Sequence, residues 1–278
     1  MSRRPPKMQG LFSGAKHRHN CRELHIVTYY HSTEYMSDNI PGSIAMKPLR
    51  IVCATHHKQR DFLTHTPLGR SLVTHQFQNP NNAAIFADSH KLTVPAAYNL
   101  AIETARKNPA ILVFVHDDVH LLDFEWQDKI REAIHAYDVI GVVGNLRVPP
   151  RHTGWSFVDE QFTRDDQKNL SGVVGHGLGF PCALTHYGPP GQRVKLLDGF
   201  LLAADSETLN ASGLRFDERL KQYFYDLDFC RRADARGLSL GTWSLSVVHE
   251  SPGAFDSSAW REDFDRYRHK YARGTTPA

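Results

Sequence analysis

No apolar run in the sequence is longer than about five residues, and Ile111 to Val115 is typical. A helix that crosses a bilayer needs about 20, so no segment reads as a membrane span. Cysteine is scarce too. Cys21, Cys53, Cys182 and Cys230 are widely spaced and form no CxxC pair. That argues against a zinc knuckle or a disulfide framework and reads as thiols in a reducing compartment. The common nucleotide signatures are missing. GxxxxGK[ST] is absent, and Gly175, Gly177 and Gly179 are spaced GxGxG ahead of a Phe-Pro pair, not GxGxxG ahead of a helix. A phosphate loop and a Rossmann dinucleotide site are thereby disfavoured. Neither GxSxG nor HExxH occurs.

What is present is an ordinary globular composition. Apolar residues make up 41% and charged residues 23% of 278, which excludes disordered and collagen-like chains. The net charge of +3 is unevenly distributed. Residues 1–50 hold 8 Lys/Arg against 3 Asp/Glu, leaving 25 against 27 for the rest. The near-neutral remainder argues against a broad nucleic-acid surface.

Residues 1–48 read as a basic N-terminal extension. Arg3 and Arg4 precede no apolar stretch, so neither a secretory nor a twin-arginine signal is expected. Only His25 to Tyr30 (HIVTYY) has strand character. Three readings stay open: a flexible tail, a weak peripheral anchor to an anionic membrane face, or a folded unit that starts at Met46.

From Leu49 onward, apolar runs alternate with helical spacing. LRIVCAT (Leu49–Thr55), AAIFA (Ala83–Ala87), ILVFV (Ile111–Val115) and the run Val139–Val143 read as strands. Ala96, Ala97, Leu100, Ala101, Ile102 and Ala105 follow a helical period after Pro95, until Asn108-Pro109 stops it. Asp123 to Ala136 is amphipathic. The alternation predicts an α/β protein with a mostly parallel sheet. Between Asn145 and Leu196 the periodicity fails in a stretch rich in Gly, Pro and His, which reads as functional loops or disorder. LDGFLLAA (Leu197–Ala204), a helix over Asp226–Gly237, a strand over Trp243–His249 and a helix over Ser257–Tyr271 follow.

The sharpest chemical signal is His116-Asp117-Asp118-Val119, directly after ILVFV. In open α/β sheets ligands sit beyond the carboxyl ends of strands. Two adjacent carboxylates there repel each other and attract a cation. Oxygen donors suit Mg²⁺ or Mn²⁺, and a nearby imidazole suits Mn²⁺. His249 ends the strand SLSVVH, where a lone histidine is commonly a structural hydrogen-bonder. In Tyr223 to Arg232 (YFYDLDFCRR), Asp226 and Asp228 lie two apart at a helix start. The dipole favours their ionised forms there. One of them reads as the cap, leaving the other free to act on a substrate.

In this order, the segments HDDV, DGFLLA, FDERLKQYFYDLDFCRRADARGLSLG and VVHES resemble the family 2 glycosyltransferases of GT-A fold, from about Leu49 to Ser251. The HDDV motif looks like that of a bacterial subgroup with a histidine–aspartate signature. The resemblance implies one domain over 49–278, with a nucleotide-binding half at 49–144 and an acceptor and catalytic half at 145–278. It implies that Asp118 holds a metal ion with His116 and His249, and that Asp226 is the general base. It further implies nucleotide-sugar contacts from Thr55, Asp88, Asn99, Asp117, Asp198 and Gly199. Tyr225 departs from the family pattern by replacing the first acid of a Glu-Asp pair. The first strand also lacks the common Pro-Thr-Tyr ending.

The expected activity is metal-dependent inverting transfer of a sugar. The donor is a nucleotide-diphosphate sugar, and the acceptor is a hydroxyl of a glycan or lipid-linked molecule. The expected setting is the cytoplasm, including the inner membrane face. Two alternatives remain: a catalytically inactive nucleotide-sugar binding module, and a sugar nucleotidyltransferase.

Overall fold

The computed structural model describes residues 25–27, 46–75, 83–88, 92–149, 153–251, 253 and 255–272, with the backbone alone at 25–27 and 83–88. In chain order, β1 (His25–Val27) precedes β2 (Leu49–Thr55), α1 (Gln59–His65), α2 (Pro67–Thr74) and β3 (Ala83–Asp88). Next come α3 (Val94–Thr104), β4 (Ile111–Val115), β5 (Val119–Leu121), α4 (Trp126–Ala136), β6 (Val139–Gly141) and β7 (Gly144–Asn145). β8 (Leu170–His176), β9 (Ala183–Gly188), β10 (Arg193–Val194) and β11 (Leu196–Leu197) follow. The last described elements are β12 (Leu201–Asp205), α5 (Ser206–Ala211), α6 (Tyr225–Ala235), β13 (Leu240–Thr242), β14 (Val247–His249) and α7 (Ser258–Tyr271).

The protein is α/β. Its larger sheet has the order β1-β3-β2-β4-β12-β6-β13-β10. β3, β2 and β4 are parallel neighbours, as are β6 and β13. β12 runs against both β4 and β6, and β1 and β10 run against their neighbours. The sheet is therefore mixed, which corrects the expectation of a mostly parallel one. The cause lies in burial. All five residues of β4 and the first four of β12 are buried, and a run covered on both faces reads the same in either direction.

A second, six-stranded sheet has the order β11-β7-β8-β14-β5, with β9 paired to β8. Part of the stretch expected to be irregular thus forms strands. Glycine hid them. Gly172 has φ +100° beside a register shift in the β8–β9 ladder, and a Cβ there would sit 2.1 Å from the Val142 carbonyl oxygen. Only glycine suits such a site. The expected strand over Trp243–His249 is shortened to its last three residues. β13 ends at Thr242 in the large sheet, and β14 starts at Val247 in the small one.

Helices cover both faces of the large sheet. Thr93 caps α3 by accepting a hydrogen bond from the Ala96 N–H, with Pro95 in the first turn. Ser257 caps α7, whose buried Trp260, Phe264, Tyr267 and Tyr271 recur at helical spacing on its inner face. α4 begins at Trp126, three residues later than its amphipathic pattern predicted. Asp123 lies buried ahead of it and pairs with Lys129 at 2.6 Å. Cys53 and Cys230 are buried free thiols and Cys182 is a half-buried one; Cys21 lies outside the described residues. Among the described residues, no helix is long and apolar enough to cross a membrane. The basic extension lies largely outside the described residues. Its segment His25–Val27 pairs antiparallel with β3.

Candidate functional site

The ends of β4, β8 and β14 and the turn between β11 and β12 surround a cavity of about 1030 Å³. The loop after β4 supplies His116, Asp117 and Asp118, and the last residue of β14 supplies His249. The β5–β14 ladder, with His249 opposite Val119, brings these two distant segments together.

His116, Asp118 and His249 present ligand atoms that all lie within 4.8 Å of one another. Asp118 Oδ1 is 3.3 Å from His249 Nε2 and 3.9 Å from His116 Nδ1. The Phe200 ring stacks on the His249 imidazole at 4.8 Å and holds its plane. Asp118 Oδ1 and His249 Nε2 are buried and face each other without a well-formed hydrogen bond, an arrangement a shared cation would satisfy. Donors about 2.1 Å from a divalent ion at near-octahedral angles lie about 3 Å apart, so these residues fit such an ion. Burial lowers the pKa of His116. Burial also opposes ionisation of Asp118 and His249, yet each charge favours the other, so Asp118 shifts down and His249 up.

Asp117 lines the same cavity and accepts a hydrogen bond from Thr55 Oγ1 at 2.6 Å. Thr55 is buried at the end of β2, where this bond fixes the Asp117 carboxylate. The backbone of Asp88 is the register partner of Thr55 across the β2–β3 ladder; its side chain lies outside the described residues.

Asp198 and Gly199 form the turn between β11 and β12. Asp198 accepts from the Trp155 indole N–H at 2.6 Å and from the Phe200 N–H at 3.1 Å. The Gly199 N–H donates to Asp226 Oδ2 at 2.9 Å. A Cβ on Gly199 would lie 2.8 Å from Asp226 Cβ and 3.0 Å from the Tyr225 hydroxyl, so the contact requires glycine.

Asp226 lines the cavity on the first turn of α6, where Oδ1 also accepts from the Leu227 N–H. Its carboxyl is pushed up to about 7, first by burial and then by the charge of Asp198. The expectation of a simply ionised group at a helix start is therefore corrected: desolvation outweighs the helix dipole. Neither Asp226 nor Asp228 is the cap. Phe224 occupies that position with φ 61° and makes no side-chain cap bond. Asp228 is fully buried, where it accepts from the Tyr271 hydroxyl at 2.7 Å and pairs with Lys270 of α7.

Asn99 does not join the site. Its amide brackets Phe216, donating to the carbonyl at 2.9 Å and accepting from the N–H at 2.8 Å, and it also donates to Glu218. Here it clamps the Phe216 backbone and does not line the cavity.

Sequence reasoning missed Trp155, which lines the cavity edge-on to Tyr187 at 4.7 Å, and Arg164, whose guanidinium lies 5.0 Å above that ring. Both belong to the stretch where periodicity failed. An indole among Gly, Pro and His was the one available signal.

No family model matches the chain, and no curated protein matches it. Among solved structures it is similar to A197 from STIV, at 14% identity and a TM-score of 0.37, over 72% of this chain and 82% of that one.

Proposed function

We propose that the chain is an inverting glycosyltransferase that uses a nucleotide-diphosphate sugar and a divalent cation, Mn²⁺ or Mg²⁺. One observation carries the reading. A cation-ready trio, with two buried polar atoms set against each other, and a carboxyl group poised near neutrality share one cavity at the strand ends. The likeness to family 2 glycosyltransferases in HDDV, DGF, YDLDFCRR and VVHES supports the same assignment.

In this reading His116, Asp118 and His249 hold the cation. When bound, it supplies positive charge against the diphosphate leaving group. Asp226 takes the proton of the acceptor hydroxyl while that oxygen attacks the anomeric carbon. The bond to the diphosphate breaks on the opposite face, so the configuration inverts. Each Asp226 oxygen accepts one N–H and keeps a lone pair for this proton. A base with a pKa near the working pH is well matched to proton transfer, and such groups contribute about 10²- to 10⁴-fold. Thr55 orients Asp117 toward the nucleotide, and Trp155 ties its loop to Asp198 beside the reacting centre.

The test is a panel of nucleotide-diphosphate sugars in Mn²⁺, scored by thermal shift and then by release of the nucleoside diphosphate. A donor at 100 times its Kd stabilises the protein by about 2.7 kcal/mol. Asp118→Asn should remove the Mn²⁺-dependent part of donor binding without loss of fold. A panel without a single stabilising donor, or binding indifferent to Mn²⁺ and to Asp118→Asn, overturns the reading. Donor binding without turnover for any glycan acceptor leaves the binding-module alternative.

A further inference from the structure

The two ring nitrogens of His116 face different neighbours. Nε2 lies 2.7 Å from the Tyr225 hydroxyl, and Nδ1 is turned toward Asp118. A neutral imidazole carries its proton on one nitrogen and offers a lone pair on the other. Whatever occupies Nε2 therefore decides what Nδ1 can do.

The Tyr225 hydroxyl has a second acceptor within reach. It donates to the Gly199 carbonyl across 3.5 Å. A carbonyl only accepts, so with its proton turned to Gly199 the hydroxyl leaves its oxygen to accept. The Tyr225 ring is held firmly. It is only 3% exposed and packs edge-on against Tyr98 and Phe216, each at 6.0 Å between centroids.

We infer that Tyr225 is a positioning residue: by accepting the Nε2–H of His116, it leaves the Nδ1 lone pair facing Asp118 and His249 as a ready donor for a divalent cation. The inference rests on the proposed cation site. It deepens that reading by naming the group that prepares one ligand. Ligating histidines commonly have their second nitrogen fixed in this way, which sets both tautomer and ring orientation.

The arrangement also accounts for a tyrosine at this position. Asp226 follows directly in sequence and already feels Asp198. An acid at 225 would add a further negative charge beside them. A hydroxyl keeps the acceptor and adds none. Gly199 joins the two roles, because its N–H bonds Asp226 while its carbonyl faces Tyr225. The first turn of α6 thus orients the cation ligand and the carboxyl group together.

Tyr225→Phe removes the hydroxyl and little else. In metal-free protein, long-range ¹H–¹⁵N spectra of His116, assigned with His116→Gln, should show the Nε2–H tautomer for the native chain. The Tyr225→Phe spectrum should show a mixture of the two tautomers. Mn²⁺ titration followed by electron paramagnetic resonance should show affinity lower by about 10- to 100-fold in Tyr225→Phe. A native His116 protonated on Nδ1 overturns the inference, and that result needs no variant to fold. An Mn²⁺ affinity in Tyr225→Phe within about twofold of native also overturns it. If Asp118→Asn abolishes Mn²⁺ uptake while Tyr225→Phe leaves it unchanged, the positioning role fails alone. If the native chain takes up no Mn²⁺, the cation reading falls and takes this inference with it.

Discussion

The two faces of the first turn of α6 carry the same residue type in opposite surroundings. On the cavity side, Asp226 receives backbone N–H groups, those of Gly199 and Leu227 among them, and the charge that acts on it is another carboxylate, Asp198. On the α7 side, Asp228 meets Lys270 and the Tyr271 hydroxyl, with Arg232 at 3.9 Å. Both are buried. A buried charge matched by cations and hydrogen bonds belongs to the scaffold, whereas one left beside a like charge is primed to exchange a proton. The partners that decide this come from β11–β12 and from α7, far away in sequence.

The largest effect expected is on turnover. Asp226→Asn should lower it by about 10²-fold or more, the scale of a lost general base, with donor binding retained. Asp228→Ala should instead leave turnover per folded molecule close to native and lower stability, by about 3–5 kcal/mol where a partner of a buried pair is removed. Lys270 keeps Asp217 as a second partner at 2.7 Å, so the lower end applies. Turnover of both variants and their urea midpoints check the contrast. A turnover loss in Asp228→Ala matching that of Asp226→Asn would erase the distinction between the two faces.

A smaller effect appears in the pH dependence of stability. The Asp226 carboxyl titrates at about 7 in the folded chain, against about 3.9 when unfolded. Between those values the unfolded chain has released this proton and the folded chain retains it. Stability therefore falls as pH rises through the window, by up to about 1.4 kcal/mol per unit. Below pH about 4 the effect vanishes, and above about 7 it is complete. Asp226→Asn lacks the group, so the stability of the native chain relative to this variant should drop between pH 5 and 7 in chelator. A pH-independent difference in denaturation free energy would show that Asp226 is not held protonated by burial.

The buried strands and their ends were legible because apolar runs have an unambiguous physical reading. LRIVCAT and ILVFV form β2 and β4, and His56 and His116 directly after them line the cavity. His249 gained meaning only through the pairing of β14 with β5, which sets it against Asp118. Strand direction was hidden by two-sided burial. The second sheet was hidden by glycines such as Gly172, which serve close backbone approach and carry no periodic signal. Asp226 and Asp228 were separable only by what packs on each. For Phe224, with φ 61° at the cap, no sequence rule marks an aromatic residue for that position.

The smallest effect sharpens the boundary between scaffold and site from the other side. Asn99 projects from α3, the helix between β3 and β4, and the resemblance would assign it to the donor. Its amide instead closes a two-bond clamp on the Phe216 backbone. Phe216 in turn stacks on Phe229 of α6 at 4.1 Å and lies edge-on to Tyr225 at 6.0 Å. Asn99→Ala therefore leaves one N–H and one carbonyl without these partners. Unpaired backbone groups of this kind cost about 1–3 kcal/mol when buried, and Asn99 is half-exposed, so water meets part of the loss. The expected result is a destabilisation of about 1 kcal/mol, read as a lower urea midpoint, with donor and Mn²⁺ affinities unchanged. A clear loss of donor affinity at unchanged stability would return Asn99 to the binding site and move the edge of the cavity onto α3.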